Sequence, residues 1–247
     1  MSGRLRRLYS ADPAQLLLDQ FRGRIANGPF KEMVYLRNSV GSALAPKIAG
    51  TYEKELAPII EKLASRGYEM VVDIGAAEGY YAVGLAKILG PNTLVLAYDT
   101  SEKARQLLVK LAELNQVAEQ ITIGDLCSHD QLQSLAGRRV FVLCDIEGGE
   151  AELLDPALAP ALKNFDVLVE VHDSRDETTT QDLLRKRFEP THKIEVIDAV
   201  KRANEVEARG FWIRNESMCQ KIFDEKRERG MRWFFMRSNS LNLLKQQ

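Results

Sequence analysis

The residues best placed to do chemistry fall into two groups. In the stretch VVDIGAAEGYYAVGLA, 71–86, an apolar run ends in Asp73, passes Gly75, Ala76 and Gly79, and enters a helix-period segment. Glycines at such a turn let backbone N–H groups approach a ligand, and the helix N-terminus adds partial positive charge. A dinucleotide fingerprint reads G-x-G-x-x-G, with no acid crowding the diphosphate, whereas this loop reads D-x-G-x-x-x-G. A fixed anion at Asp73 repels a diphosphate and suits a cationic ligand.

Two more acids follow at βα spacing. Asp99, with Thr100 after it, ends the second apolar run, where a carboxylate can accept hydrogen bonds from both hydroxyls of a ribose. Asp125 and Leu126 follow the third. Each has a plainer role open to it: Asp99 as the N-cap of the next helix, Asp125 as an ordinary loop acid.

The second group lies in VFVLCDIEGGEAELLDP, 140–156, and DVLVEVHD, 166–173. Four readings compete for Asp145, Glu147, Glu150, Glu170, His172 and Asp173. Glu147 and Glu150 favour the N-terminus of the helix that follows. His172 is a general base whose imidazolium form the carboxylates favour, which is the reading preferred here. Asp145, Glu170 and His172 hold a divalent cation, or the cluster only positions a substrate.

These residues need a scaffold that brings them together. Apolar runs at 70–74, 94–98, 120–123, 140–144, 167–171, 194–197 and 233–236 alternate with helix-period segments, the pattern of βαβ units around a doubly wound, mostly parallel seven-stranded sheet. Ala82, Leu85, Ala86 and Leu89 form one crossover helix, and Ala104, Leu107, Leu108, Leu111 and Leu114 another. In a 3-2-1-4-5 strand order, Asp145 lies beside the Asp73 loop, with Glu170 and His172 on the next strand. A helix is expected over 176–188, capped by Ser174 or Asp176. Trp212, Trp233, Phe234 and Phe235 read as a core hairpin with an antiparallel last strand, and 224–229 as a solvated helix face. Upstream, Leu17, Phe21 and Ile25 mark one amphipathic stretch and Leu56, Ile59, Ile60 and Leu63 another. Glu53 reads as a helix N-terminal acid, with reach into the site from the cap as the alternative. Residues 1–50 read as an N-terminal helical cap or the arm of a homo-oligomer, and 51–247 as the catalytic domain.

Composition narrows the partners. The 34 Lys and Arg nearly cancel the 35 Asp and Glu, which argues against a nucleic-acid or anionic-membrane partner and for a small acceptor. Arg185, Lys186, Arg187, Lys201 and Arg202 leave a local basic patch open. Three unpaired-looking cysteines and the lack of a membrane-span or signal-peptide pattern predict a cytoplasmic protein without a disulfide framework.

The Asp73 loop, the acid at Asp99 and the acid at Asp125 resemble the motifs of class I S-adenosylmethionine methyltransferases. The D-x-E-G-x-E-like run after the fourth strand and the acid followed by His172 after the fifth resemble the FkbM-type members of that group. The resemblance covers roughly 50–200. It implies a Rossmann-like fold and S-adenosylmethionine as cofactor, contacted by Asp73, Gly75, Ala76, Gly79, Asp99, Thr100, Asp125 and Leu126. It also implies transfer to a hydroxyl of a sugar, lipid or natural product at His172, Asp145 and Glu170. N-methylation of a small molecule and a non-catalytic scaffold of the same fold are the alternatives.

Overall fold

The computed structural model describes residues 12–172, 179–200, 216–225 and 231–240. Asp173, Ser174, Asp176, Lys201, Arg202 and Trp212, and positions 226–229 of the charged run, lie outside them. The chain forms two compact units, one of residues 1–57 with 200–227 and one of 58–199 with 228–247.

The strands are β1 (Met70–Ile74), β2 (Leu94–Tyr98), β3 (Ile121–Gly124), β4 (Val140–Cys144), β5 (Asp166–Val171), β6 (His192–Asp198) and β7 (Arg232–Ser238). The helices are α1 (Pro13–Gln20), α2 (Leu44–Ala49), α3 (Ala57–Leu63), α4 (Tyr80–Leu89), α5 (Glu102–Leu114), α6 (His129–Ser134), the single turn α7 (Glu150–Leu153), α8 (Thr180–Phe188) and α9 (Glu216–Phe223).

All seven strands form one sheet in the order β3-β2-β1-β4-β5-β7-β6, and β7 runs antiparallel to both neighbours. The expected order and the antiparallel last strand are both present. Every residue of β1, β4 and β5 is buried, as unbroken Val, Leu and Ile runs require when helices cover both faces. Ala104, Leu108 and Leu111 of α5 face this core, but Leu114 is exposed, because the helix ends there and Asn115 caps it. At the amino end of β5, buried Asp166 accepts hydrogen bonds from Tyr68, Arg66 and the Ser238 N–H, fixing the base of the sheet. Trp233, Phe234 and Phe235 of β7 are buried.

Two local expectations are corrected, and a third gains detail. The cap of α8 is Thr179, in place of Ser174 or Asp176, and its hydroxyl accepts from the Asp182 N–H, so the helix starts at Thr180. Helix α1, capped by Asp12, closes at Phe21, and Ile25 lies beyond it beside the Arg24–Val34 β-bridge, its N–H donating to the Met33 carbonyl. Glu53 stands at a helix N-terminus as expected, as the N-cap of the short 3-10 turn Lys54–Leu56, and it is buried, with φ 47°. In that smaller unit α1 packs on α2 and α9. Among the described residues no helix is long and apolar enough to cross a membrane.

Candidate active site

The sheet order gathers the acids at one edge. Asp73 is the penultimate residue of β1; Asp99, Asp125 and Asp145 each follow directly on β2, β3 and β4; Glu170 is the penultimate residue of β5 and His172 follows its end. Backbone bonds stitch these ends together. Gly75 and Ala76 N–H both donate to the Tyr98 carbonyl at 2.9 Å, Asp99 N–H to Gly124, and Asp145 N–H to the Ile74 carbonyl at 2.9 Å. β1 is flanked by β2 on one side and β4 on the other, the switch point where open α/β sheets bind ligands.

Gly75 is required, though for a different reason than ligand space. Its φ is +86°, and a Cβ there would sit 1.7 Å from the Asp145 carbonyl oxygen, so the loop after β1 passes directly against the loop after β4. At Gly79, φ +97°, a Cβ would meet the Leu108 side chain of α5 at 2.8 Å, and that side chain can shift. Gly75→Ala should therefore cost about 3 kcal/mol of stability and Gly79→Ala about 1 to 2. Equal denaturation midpoints for the two variants would contradict this account of the loop.

Four of the loop amides are engaged within the protein. Besides Gly75 and Ala76, the Ala77 N–H donates to Asp99 Oδ2 at 2.8 Å and Gly79 N–H to the Ala76 carbonyl. These four amides are thus not turned toward a ligand. Asp99 is held by two amides, Ala77 on Oδ2 and Ser101 on Oδ1 at 2.8 Å, while Arg105 donates to its backbone carbonyl. Its carboxylate is fixed, half-buried and has lone pairs to spare for hydroxyl donors. The N-cap of α5 is Ser101, not Asp99, which removes the plainer reading of that acid. Asp73 is buried at 1% exposure, whereas Thr100, Asp125 and Leu126 sit at the rim, Leu126 66% exposed. Asp125 accepts from the Leu126 N–H.

The second group converges on His172. Its Nε2 lies 3.4 Å from Glu147, 3.8 Å from Glu170 and 3.9 Å from Asp145, which brings Asp145, Glu170 and His172 together. Asp145, Glu147 and His172 each place a ligand atom within 4.8 Å of the others, a spacing a divalent cation could use. The tightest partner is another residue: Nδ1 is 2.7 Å from Oε1 of Glu150, which is fully buried. That hydrogen bond, aided by the charges of Glu150, Glu170 and Asp145, outweighs burial and pushes the His172 pKa up to about 9. Burial by itself raises Glu150, but the bond to His172 and the backbone amides hold it below the usual carboxylate range. Residue types alone made Glu150 a helix N-terminal acid. The signal for its inward turn is the Gly148–Gly149 pair before it, which, with Glu147 at φ 58° and Gly148 at φ 116°, folds the loop back on itself.

No protein-family model and no curated protein matches the chain. Solved structures do. The human methyltransferase 10 domain containing protein is 13% identical, covering 92% of this chain and 94% of its own, with a TM-score of 0.50. The O-methyltransferase TomG from Streptomyces achromogenes, solved with SAM, is 16% identical over 79% of this chain and 91% of its own, at 0.49. An O-methyltransferase from Bacillus cereus in complex with SAH is 16% identical over 77% and 86%, at 0.46. Strand order and the first of these likenesses together give the chain the Rossmann-like fold of class I methyltransferases.

Proposed function

We propose that this protein is an S-adenosylmethionine-dependent methyltransferase that acts on a hydroxyl of a small acceptor, a sugar, lipid or natural product. One observation carries the cofactor assignment: the loop after β1 has its amides at Gly75, Ala76, Ala77 and Gly79 engaged, while carboxylates stand at Asp73 and Asp99. That arrangement rejects a diphosphate and accepts a cationic amino-acid ligand with a ribose. Asp73, with Gly75, Ala76 and Gly79 shaping the turn, would face the methionine part. Asp99 with Thr100 would take the ribose, and Asp125 with Leu126 the adenine. When bound, the cofactor supplies an electrophilic methyl group.

The residues at the ends of β4 and β5 then work on the acceptor. Asp145 and Glu170 orient a hydroxyl near His172 Nε2, which takes its proton as the oxygen attacks. The close Asp145, Glu147 and His172 atoms favour one second reading, a divalent cation that lowers the hydroxyl pKa.

Methyl transfer from labelled donor to a panel of hydroxylated sugars, lipids and polyketides tests the reaction by product mass and site. Label on oxygen agrees with this assignment, and label on nitrogen contradicts it. Asp99→Asn should weaken S-adenosylmethionine binding about 5- to 150-fold in calorimetry, since a charged acceptor of two hydroxyl bonds is lost. Unchanged affinity in a folded variant would remove Asp99 from the ribose site.

A further inference from the structure

The base role proposed above depends on which nitrogen of His172 faces the acceptor, and Glu150 decides that. Its carboxylate is fully buried at the start of α7, yet Oε1 takes three donors: Ile146 N–H at 3.3 Å, Gly148 N–H at 3.1 Å and His172 Nδ1 at 2.7 Å. An acid serving only a helix N-terminus sits in water on the first turn; this one turns inward and ties the loop after β4 to the first residue after β5. Among the described residues His172 Nε2 has no hydrogen-bond partner, and it faces Asp145, Glu147 and Glu170.

We infer that Glu150 is the positioning residue of the site: by accepting from Nδ1 it fixes the ring and its tautomer, so that Nε2 is the nitrogen turned to the acceptor. The carboxylate is itself held by backbone amides of the 146–148 loop, so the ring is registered to the strand end that also carries Asp145. Proton-accepting geometry is thus set from behind the ring by a residue that touches neither cofactor nor acceptor. Glutamine at this position keeps an oxygen where the two amides point, and that oxygen still accepts from Nδ1. Alanine or methionine removes the acceptor altogether.

Nitrogen-15 labelling of the histidines in the full chain, read at alkaline pH where the ring is neutral, reports the tautomer through its long-range couplings. Wild type and Glu150→Gln should hold His172 almost wholly with the proton on Nδ1. Glu150→Ala, and Glu150→Met which preserves the buried volume, should move the tautomer ratio at least about tenfold toward Nε2–H, the form a free imidazole prefers. A wild-type ring protonated on Nε2, or a ratio unchanged in Glu150→Ala or Glu150→Met, overturns the inference. If neither variant folds, the wild-type tautomer decides alone. Calorimetry with S-adenosylmethionine on the same samples separates the two claims: wild type failing to bind sinks the proposed function, while a wrong tautomer with intact binding sinks only the role of Glu150.

Discussion

His172→Ala should lower the turnover rate constant by about 100- to 10,000-fold while leaving S-adenosylmethionine affinity within about twofold. The split follows from position. The proposed cofactor contacts come from the ends of β1, β2 and β3, whereas His172 stands after β5, beside Asp145 of the β4 end. A group that touches only the acceptor contributes to the chemical step and not to cofactor binding. Single-turnover rates with labelled donor, alongside calorimetry, measure both. The cation reading predicts a different pattern: activity lost to chelator and restored by magnesium, manganese or calcium, with Asp145→Asn abolishing that rescue. Rates within a few-fold of wild type for His172→Ala and Asp145→Asn, with no chelator effect, would make the cluster structural.

The second large effect is on pH. Because the bond to Glu150 pushes His172 up to about 9, the ring is an imidazolium at neutral pH, and about one ring in a hundred is free to take a proton. The kcat/KM profile should climb nearly tenfold per pH unit from 7, level off near 9, and gain about 100-fold in all. Glu150→Gln weakens the largest cause of the shift and should move the inflection to lower pH. A flat profile between 7 and 9, or one that falls, would contradict a histidine base. Stability moves the opposite way. The folded pKa lies above the ordinary 6.5, so the contribution of the charged ring is complete below about 6.5 and is lost as pH rises through about 9. Melting temperature should drop across that interval in wild type and less in His172→Ala.

Much of this was readable in the amino acids because strands buried on both faces leave an unmistakable trace. The runs MVVDI and VFVLC become β1 and β4 residue for residue, and the acids that close them fall at the sheet's carboxyl edge. What stayed hidden depends on contacts between segments far apart in sequence. Gly75 looks like a ligand-facing glycine until Asp145, seventy residues on, proves to lie against it. Glu150 looks like a helix acid until His172 arrives at its carboxylate from the next strand. The amides of the Asp73 loop look open to a ligand, but Tyr98 and Asp99 of the neighbouring strand end take three of them. Local pattern shows which residue types stand at a strand end; which way each group turns is set by the neighbouring strand.

The central claim is the cofactor, and calorimetry of the purified chain with S-adenosylmethionine, its demethylated product and NAD in parallel tests it most directly. The account predicts one-to-one binding of both sulfur nucleosides and none of NAD, because the Asp73 and Asp99 carboxylates at the ends of β1 and β2 repel a diphosphate. Binding of NAD with no heat from S-adenosylmethionine would contradict it.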